Sequence, residues 1–485
     1  MREIDAEELA KEDYLEYSTH TIEERAISSV LDNCKPVQRR ILYAMYDLKL
    51  FNHANARKSA YIVGAVMGRF HPHGDQSIYQ TLVNMARDYT KNYKYVLGQG
   101  GFGTQVDNDS AAPRYTEAKL SEYSDKYMLA DLGSHATEYK PNYDEEELEP
   151  VVLPVILPDI LINGNSGIAT PYRTYSPPHH AIDVIRALIA YTKDPDKITI
   201  SELIKIIKAP DFPTGGTVSQ IDSVHRFYYT GKGAMTVKGH YEIITGGRYN
   251  VIKVDALPYM RSQDTFIEGL RKIKKSSQGD LIVGVEELSA DGKIDIRISV
   301  LPEHTDEVVS ALIKSTCLQY SEVIELRALD AEGKVRLFNL KEVFEHFVNF
   351  RSLCIYKKFR HEHDVNSRRI HLLDGVLIIS KDMDKAYKIV KTSSGRTDSI
   401  NKLIKAFGLT DEQAQYIVDL KFYRLSNYDV GEVKAEKSKL VDRNKYIDKI
   451  TVNSRNKYLD EIMIDEWTKI MHDGFFRKYR LTTIE

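Results

Sequence analysis

Residues 59–87 read Ser-Ala-Tyr-Ile-Val-Gly-Ala-Val-Met-Gly-Arg-Phe-His-Pro-His-Gly-Asp-Gln-Ser-Ile-Tyr-Gln-Thr-Leu-Val-Asn-Met-Ala-Arg. Apolar residues recur at helical spacing over 59–69 and again over 77–87, and the turn-like His71-Pro-His-Gly74 lies between them. Two helices joined by a tight turn that contains glycine are the outline of a helix-turn-helix. The sequence therefore predicts that motif here.

The residues around this motif are basic. Residues 35–120 contain twelve Lys or Arg and six Asp or Glu, whereas the whole chain has a net charge of −3. A localised positive charge suits a polyanionic partner, although a solvated basic face would have the same composition. Upstream, residues 26–45 carry apolar side chains at helical spacing, interrupted by Lys35-Pro36, and predict another helix.

Downstream lies the polar tract Asp109-Ser-Ala-Ala-Pro-Arg-Tyr-Thr-Glu117, which ends a glycine-rich loop. A tyrosine phenol is a poor nucleophile at neutral pH because its pKa is about 10. A neighbouring cation favours the phenolate and screens an incoming phosphate, so the Arg114–Tyr115 pair suits tyrosyl attack on a phosphodiester. A solvated surface stack of the two side chains is the alternative interpretation.

Two other motifs suggest different chemistry. Gly98-Gln-Gly-Gly-Phe-Gly103 matches the dinucleotide-binding pattern G-x-G-x-x-G, but a polar loop follows where that fold needs a helix, so a turn is favoured. His71-Pro-His-Gly-Asp75 resembles the start of an H-x-H-x-D-H metallohydrolase site, but Gln76 stands in the final His position. A metallohydrolase remains a less favoured alternative.

The rest of the chain predicts an α+β multidomain protein. An acidic run at 144–147 precedes a domain boundary near residue 150, and strands at 251–255 and 294–300 alternate with helices up to about residue 335. A helical pattern then runs from Leu340 to about residue 390, and Val433, Leu440 and Ile447 follow at heptad spacing. We predict an antiparallel coiled coil capped by a compact tip at 391–428, and three domains over 1–150, 151–335 and 336–485.

Composition excludes several classes of protein. With 28% charged residues, a mean hydropathy of −0.38 and no run of eighteen apolar residues, the chain is expected to be soluble and cytoplasmic, with no membrane partner. Its three cysteines fit no disulfide framework or zinc spacing. The residues that could bind and polarise phosphate are Arg25, Lys35, Arg39, Arg40, His71, His73, Arg114 and Tyr115. They leave open an enzyme of phosphoryl transfer or a non-catalytic dimeric DNA-binding protein.

Several short motifs, which follow one another along nearly the whole chain, resemble those of a known protein family. They are Tyr14-Leu-Glu-Tyr17, Arg25-Ala-Ile27, Lys35-Pro-Val-Gln-Arg-Arg-Ile-Leu-Tyr-Ala-Met45, His71-Pro-His-Gly-Asp75, Gly98-Gln-Gly-Gly-Phe-Gly-Thr104, Ala111-Ala-Pro-Arg-Tyr-Thr-Glu117, Asn163-Gly-Asn-Ser-Gly-Ile-Ala169, Pro210-Asp-Phe-Pro-Thr-Gly-Gly216, and Leu409-Thr-Asp-Glu-Gln-Ala-Gln415 with Leu420. The chain resembles the DNA-cleaving A subunit of type IIA topoisomerases, as in gyrase and topoisomerase IV.

The resemblance implies roles for individual residues. Tyr115 would attack a DNA phosphate and become linked to its 5′ end, while Arg114 would stabilise the charge that develops. Arg25, Lys35, Arg39 and His73 would line the scissile phosphate, with His73 as proton acceptor. Gln38, Arg40 and His71 would also bind DNA or its phosphates. Ile168 would wedge between base pairs and bend the DNA.

It also implies an assembly. The fold would comprise a winged-helix domain, a tower domain and a coiled coil that ends in a dimerising C-gate. The chain would form a homodimer that cuts both strands of double-stranded DNA. We recognise no metal site and no ATP-binding loop in this chain, so Mg²⁺ and ATP would be bound by a partner B-type subunit that carries the TOPRIM and ATPase parts.

Departures from the family pattern carry further expectations. Gln38 replaces the usual histidine, and Pro113 precedes the Arg–Tyr pair. Gln76 and Gln80 stand where bacterial enzymes hold a Ser and an acidic residue that anchor quinolone drugs, so we expect insensitivity to them. The chain ends soon after the second coiled-coil arm. That ending predicts ATP-dependent relaxation and decatenation rather than negative supercoiling. Together with Lys35-Pro-Val-Gln-Arg39, it resembles the compact subunit of T-even-like phages, which predicts a viral source.

Overall fold

The computed structural model describes residues 25–169, 172–420 and 430–485. The predicted N-terminal arm with Tyr14-Leu-Glu-Tyr17 lies outside the described residues. The chain forms two compact units: a larger one with the residues up to 133, 137–351 and 462–485, and a smaller one with 134–136 and 352–461. The predicted boundaries at 150 and 335 stay predictions. No described helix is both long and apolar enough to cross a membrane.

The first helices of the larger unit are α1 (Pro36–Asp47), α2 (Ser59–Arg69) and α3 (Asp75–Ala86). Helix α2 has the predicted bounds, whereas α3 begins two residues before the prediction, at an aspartate that suits the positive end of a helix dipole. The predicted helix over 26–45 is wrong in its first half. Proline supplies the backbone angle for a helix start at Pro36, and upstream of it Ser29 forms a β-bridge with Leu329.

The strands of the larger unit are β1 (Arg57–Lys58), β2 (Val96–Gln99), β3 (Glu117–Leu120), β4 (Tyr139–Pro141), β5 (Leu148–Pro150), β6 (Asn165–Ala169), β7 (Tyr172–Ser176), β8 (Thr217–Ser219), β9 (Lys232–Lys238), β10 (His240–Ile244), β11 (Asn250–Ala256), β12 (Ile282–Glu287), β13 (Ile296–Val300), β14 (Gln319–Glu325), β15 (Arg327–Leu329), β16 (Val335–Leu337) and β17 (Thr483–Ile484). The predicted strands at 251–255 and 294–300 correspond to β11 and β13. Further helices are α4 (Asp159–Ile162), α5 (Ala181–Lys193), α6 (Ile200–Ile207), α7 (Ile221–Thr230), α8 (Gln263–Lys274) and α9 (Thr305–Ser315).

These strands form five sheets, of which two are the two-stranded pairs β4-β5 and β15-β16. A small sheet has the order β1-β3-β2, and its central strand β3 begins at Glu117, where the Arg–Tyr tract ends. A four-stranded antiparallel sheet, β10-β11-β13-β12, buries alternate residues against α8 and α9. A six-stranded sheet has the order β17-β8-β9-β14-β7-β6, so that the strand with Ile168 and the strand from the chain's last residues form its opposite edges.

Long helices characterise the smaller unit. Helix α10 (Leu340–Ile379) begins in the larger unit and ends in the smaller one. It is followed by α11 (Met383–Thr392), α12 (Arg396–Phe407), α13 (Asp411–Asp419), α14 (Val430–Ile450) and the first residues of α15 (Lys457–His472). Ion pairs Glu362–Arg443 and Arg369–Glu436 join α10 and α14 in antiparallel register. The predicted helix to about 390 is wrong, because the helix ends at Ile379 and Asp382 caps a new one, α11.

Candidate functional site

The Arg114–Tyr115 pair lies on the surface of the larger unit, at the end of the loop between β2 and β3. Tyr115 is 64% exposed, and the Arg114 guanidinium carbon lies 4.6 Å from the centroid of its ring. The two side chains are therefore stacked, which is the geometry of a cation–π pair. An exposed phenol with a cation on its face is accessible to a large anionic substrate.

Helix α2 holds the backbone on both sides of this pair. The carbonyl of Thr116 accepts a hydrogen bond from the Ser59 amide at 2.9 Å, and the carbonyl of Pro113 accepts one from the Ala60 amide at 3.1 Å. The first amides of a helix have no partner within it, so the tract satisfies them and is fixed in return. Pro113 thus helps to hold the tract against α2 through its backbone carbonyl.

The glycine-rich loop packs against the same tract. Gly100 and Gly103 have positive φ angles, and a Cβ on Gly103 would lie 2.8 Å from the carbonyl oxygen of Asn108. The nearly buried Arg87 donates hydrogen bonds to the carbonyls of Phe102 and Asn108, at 3.1 and 2.6 Å. Sequence reasoning missed Arg87, because its partners are carbonyls that no motif reveals. The described residues after Gly103 continue as a loop rather than a helix, in keeping with a turn.

Two of the predicted phosphate-binding arginines are paired with carboxylates. Arg39 forms a two-point ion pair with the buried Asp32, at 2.7 and 2.9 Å. Burial alone would lower the pKa of Arg39, but the Asp32 carboxylate outweighs it and raises that pKa. Arg40 forms a two-point pair with Glu149, at 2.8 and 3.0 Å. Their charges are compensated within this structure.

Of the two histidines of the turn, His71 lies beside Arg40 and His73 lies beside His71. The Arg40 guanidinium donates to Nδ1 of His71 at 2.9 Å, so the neutral tautomer of His71 carries its proton on Nε2. Burial and then Arg40 lower the pKa of His71 to about 4. His73 is exposed, with its ring edge-on to His71 and the centroids 4.4 Å apart. A guanidinium against Nδ1 disfavours the metallohydrolase interpretation, because a metal ion there would meet a cation.

Lys35 and Gln38 lie at the start of α1, at the edge of a polar cleft of about 360 Å³. The Gln38 side-chain oxygen accepts a hydrogen bond from the Lys35 amide at 2.9 Å, so this glutamine caps the helix. Burial, and then the charge of Lys91, lower the pKa of Lys35. Sequence reasoning missed Lys91, which lines the same cleft.

The remaining predicted residues are exposed at separate positions of the chain. Ile168 is 81% exposed on the edge strand β6, which is unusual for a large aliphatic side chain. Arg25 is exposed as well. Gln76 and Gln80 are exposed one helical turn apart on α3, on one face of that helix. The drug insensitivity expected of this pair stays a prediction.

The stacked Arg114–Tyr115 pair, the histidine-containing turn at 71–74 and the order of the motifs along the chain point to one class of protein. Residues 25–468 match the model of the DNA gyrase/topoisomerase IV family for the A subunit. The chain belongs to this family of gyrase and topoisomerase IV A subunits.

Comparison with individual proteins gives the same family. The A subunit of DNA topoisomerase 4 from Staphylococcus epidermidis is 34% identical over 489 residues, which cover 100% of this chain and 60% of that relative. The A subunit of DNA gyrase from Halalkalibacterium halodurans is 35% identical over 445 residues, 91% of this chain and 53% of the relative. The A subunit of DNA gyrase from Thermotoga maritima is 36% identical over 431 residues, which cover 89% of this chain and 53% of that relative. The chain thus spans little more than half the length of these relatives.

Proposed function

We propose that this chain is the DNA-breakage-and-reunion subunit of a type IIA topoisomerase and that Tyr115 is its nucleophile. The observation that carries the proposal is the exposed Tyr115 ring, stacked under the Arg114 guanidinium on a tract fixed to α2. Membership of the family supports it, since the relatives above are named as gyrase and topoisomerase IV subunits.

The proposed reaction is a reversible transfer of a phosphoryl group. The Tyr115 oxygen forms a bond to a DNA phosphorus, the bond to the 3′ oxygen breaks, and that oxygen leaves as a hydroxyl after it takes a proton. His73 accepts the phenol proton, and Arg114 stabilises the extra negative charge of the crowded phosphorus. Because the phosphotyrosyl ester keeps the energy of the broken bond, the 3′ hydroxyl can displace the phenolate and reseal the strand.

The proposal assigns the bound groups to other chains. Among residues 25–169, 172–420 and 430–485, no three His, Cys, Asp or Glu are grouped to hold a metal ion. We place Mg²⁺ and ATP on a partner B-type subunit with TOPRIM and ATPase parts. The preference for relaxation and decatenation, and the phage-like source, stay predictions.

Under this proposal the parts of the fold correspond to the domains of a topoisomerase A subunit. Helices α1–α3 with the β1-β3-β2 sheet would be the winged-helix domain, and residues 151–335 the tower. The antiparallel helices α10 and α14 would be the coiled coil, with α11–α13 as the C-gate that joins two copies of the chain. Ile168 would insert between base pairs, since an exposed aliphatic side chain on an edge strand can unstack a step and bend the duplex.

The test is a trapped covalent adduct. The chain is incubated with its partner subunit, plasmid DNA and Mg²⁺, denatured rapidly, and analysed for DNA linked to protein. The adduct should be lost in Tyr115→Phe, whereas DNA binding stays within about twofold. Tyr61→Phe is the matched control, because Tyr61 is 55% exposed on the adjacent helix α2 and should form the adduct normally.

Two results would decide against the proposal. An adduct that persists in Tyr115→Phe would place the nucleophile elsewhere. Tight DNA binding without any adduct in the parent complex would favour the alternative of a non-catalytic dimeric DNA-binding protein.

A further inference from the structure

The basic segment at 35–120 contains fewer uncompensated cations than its composition suggests. Besides Arg39 and Arg40, three more of its basic side chains form ion pairs: Lys58 with Glu117, Arg69 with Glu147, and Lys94 with Asp88. An ion-paired cation attracts a second anion less strongly, because its charge is already offset. The free positive charge must therefore be sought at particular places rather than over the whole segment.

One such place is the polar cleft of about 360 Å³ at the start of α1. Its cationic lining residues are Lys35, Arg87 and Lys91, and amides and hydroxyls supply most of the remaining polar groups. Of the described residues that line it, none is Asp or Glu. A cleft with several cations, many hydrogen-bond donors and no carboxylate among its described lining residues is chemically complementary to phosphate.

The surroundings of Lys91 support this interpretation. Its ammonium lies 4.5 Å from the ring centroid of Tyr95, which orients the side chain. Asp159 contributes an attractive charge, but hydrogen bonds from four side chains already occupy its oxygens: Asn33, Tyr95, Tyr123 and Asn163. Burial lowers the pKa of Lys91, opposed by Asp159. An anion placed between Lys91 and Lys35 would relieve both the burial of charge and the repulsion of the two ammonium groups.

We propose that Lys91 and Lys35 together bind one phosphate group of the DNA backbone in this cleft. This inference rests on the proposed function for the identity of the polyanion, and it adds Lys91 as a DNA-contact residue that no motif indicates. Lys91 and Lys35 are far apart in the chain, and the fold brings them to one cleft. A single phosphate bound by two lysines fixes the path of the duplex but reads no base.

The first test is the salt dependence of DNA binding in a Tyr115→Phe background, where cleavage cannot contribute. In duplex DNA, the slope of log K against log salt becomes shallower by about 0.9 for each phosphate that the protein no longer neutralises. Because Lys35 remains, Lys91→Gln should make the slope shallower by part of that amount, and the double variant Lys35→Gln/Lys91→Gln by about all of it. Lys91→Arg should keep the parent slope. Lys94→Gln is the matched control, since Lys94 is a nearby lysine paired with Asp88, and it should keep the parent slope. An unchanged slope in a folded Lys91→Gln protein overturns the proposal.

The second test needs no variant. A lysine-reactive reagent is applied to the full chain, and modification of Lys91 and Lys94 is quantified by mass spectrometry. Duplex DNA should protect Lys91 at least several-fold more than Lys94. Protection by inorganic phosphate without protection by DNA would make the cleft a small-anion site and overturn the assignment. If Lys91 behaves as proposed while no covalent adduct forms, the failure lies in the proposed function alone.

Discussion

Substitution of Gly103 by alanine should loosen the tract that holds Tyr115. The φ angle of Gly103 is +82°, where an alanine loses roughly 1 kcal/mol relative to glycine. Its new Cβ would also lie 2.8 Å from the Asn108 carbonyl oxygen and 3.0 Å from Nη2 of Arg87. To relieve these contacts the loop must move away from Arg87, which gives up a hydrogen bond of 2.6 Å from a charged donor, worth about 1.5–3 kcal/mol.

The total is about 3 kcal/mol of local stability, or roughly a hundredfold in a local opening equilibrium. Hydrogen exchange is the direct assay, because the Ala111 amide donates to the Gly101 carbonyl at 2.8 Å and reports on the packing of the loop. We expect its exchange to accelerate by about two orders of magnitude. The yield of covalent adduct should fall as well, since Tyr115 follows in the same tract.

Gly64→Ala is the matched control. Gly64 lies within α2, and a Cβ there would meet no atom of the described residues within 4 Å. Alanine should therefore stabilise the helix by about 0.5–1 kcal/mol, because it loses less backbone entropy than glycine. Exchange at Ala111 that changes less than threefold in Gly103→Ala would refute the reasoning, because the loop would then tolerate a Cβ that the geometry forbids.

Two further predictions concern the larger unit. Burial lowers the pKa of His179 to about 4. Between that value and the unfolded value near 6.5 the unfolded chain binds more protons, so stability should fall by about 2 kcal/mol from pH 7.5 to pH 5. Urea unfolding of His179→Gln should show a smaller pH dependence; an equal one contradicts this. Asp211 is buried and accepts hydrogen bonds from the amides of Leu481 and Thr482 and from Arg477. Asp211→Asn should speed proteolysis within 477–485 more than tenfold, as each bond to a carboxylate contributes about 1.5–3 kcal/mol. The exposed Asp222→Asn should not, and equal rates in the two variants would refute the role of Asp211.

The features that the sequence predicted correctly are local ones. Helix α2 was placed residue for residue, because the spacing of apolar side chains and the following turn depend only on neighbours in the chain. The Arg114–Tyr115 stack, which is the alternative interpretation of the pair from its sequence, follows from the adjacency of the two residues. Family membership follows from motifs that are each a few residues long, and it needed no knowledge of the fold.

The errors of prediction arose where distant residues compete for a segment. Residues 27–35 carry helical periodicity, but the bridge from Ser29 to Leu329 provides other backbone partners. Similarly, the helical pattern from Leu340 continues beyond Ile379, but Asp382 ends the helix by capping the next one.

Charge compensation depends entirely on the fold. Arg39, Arg40 and Lys91 each contribute one positive charge in the sequence, and nothing in their neighbours along the chain shows which of them is paired. The tertiary structure brings Asp32 to Arg39 and Glu149 to Arg40, whereas it places Lys91 in a cleft whose described lining has no carboxylate. Electrostatic energy depends on separation in space rather than along the chain. The sequence thus predicted the neighbourhood of the proposed nucleophile, and the fold decided which cations of the basic segment are paired with carboxylates.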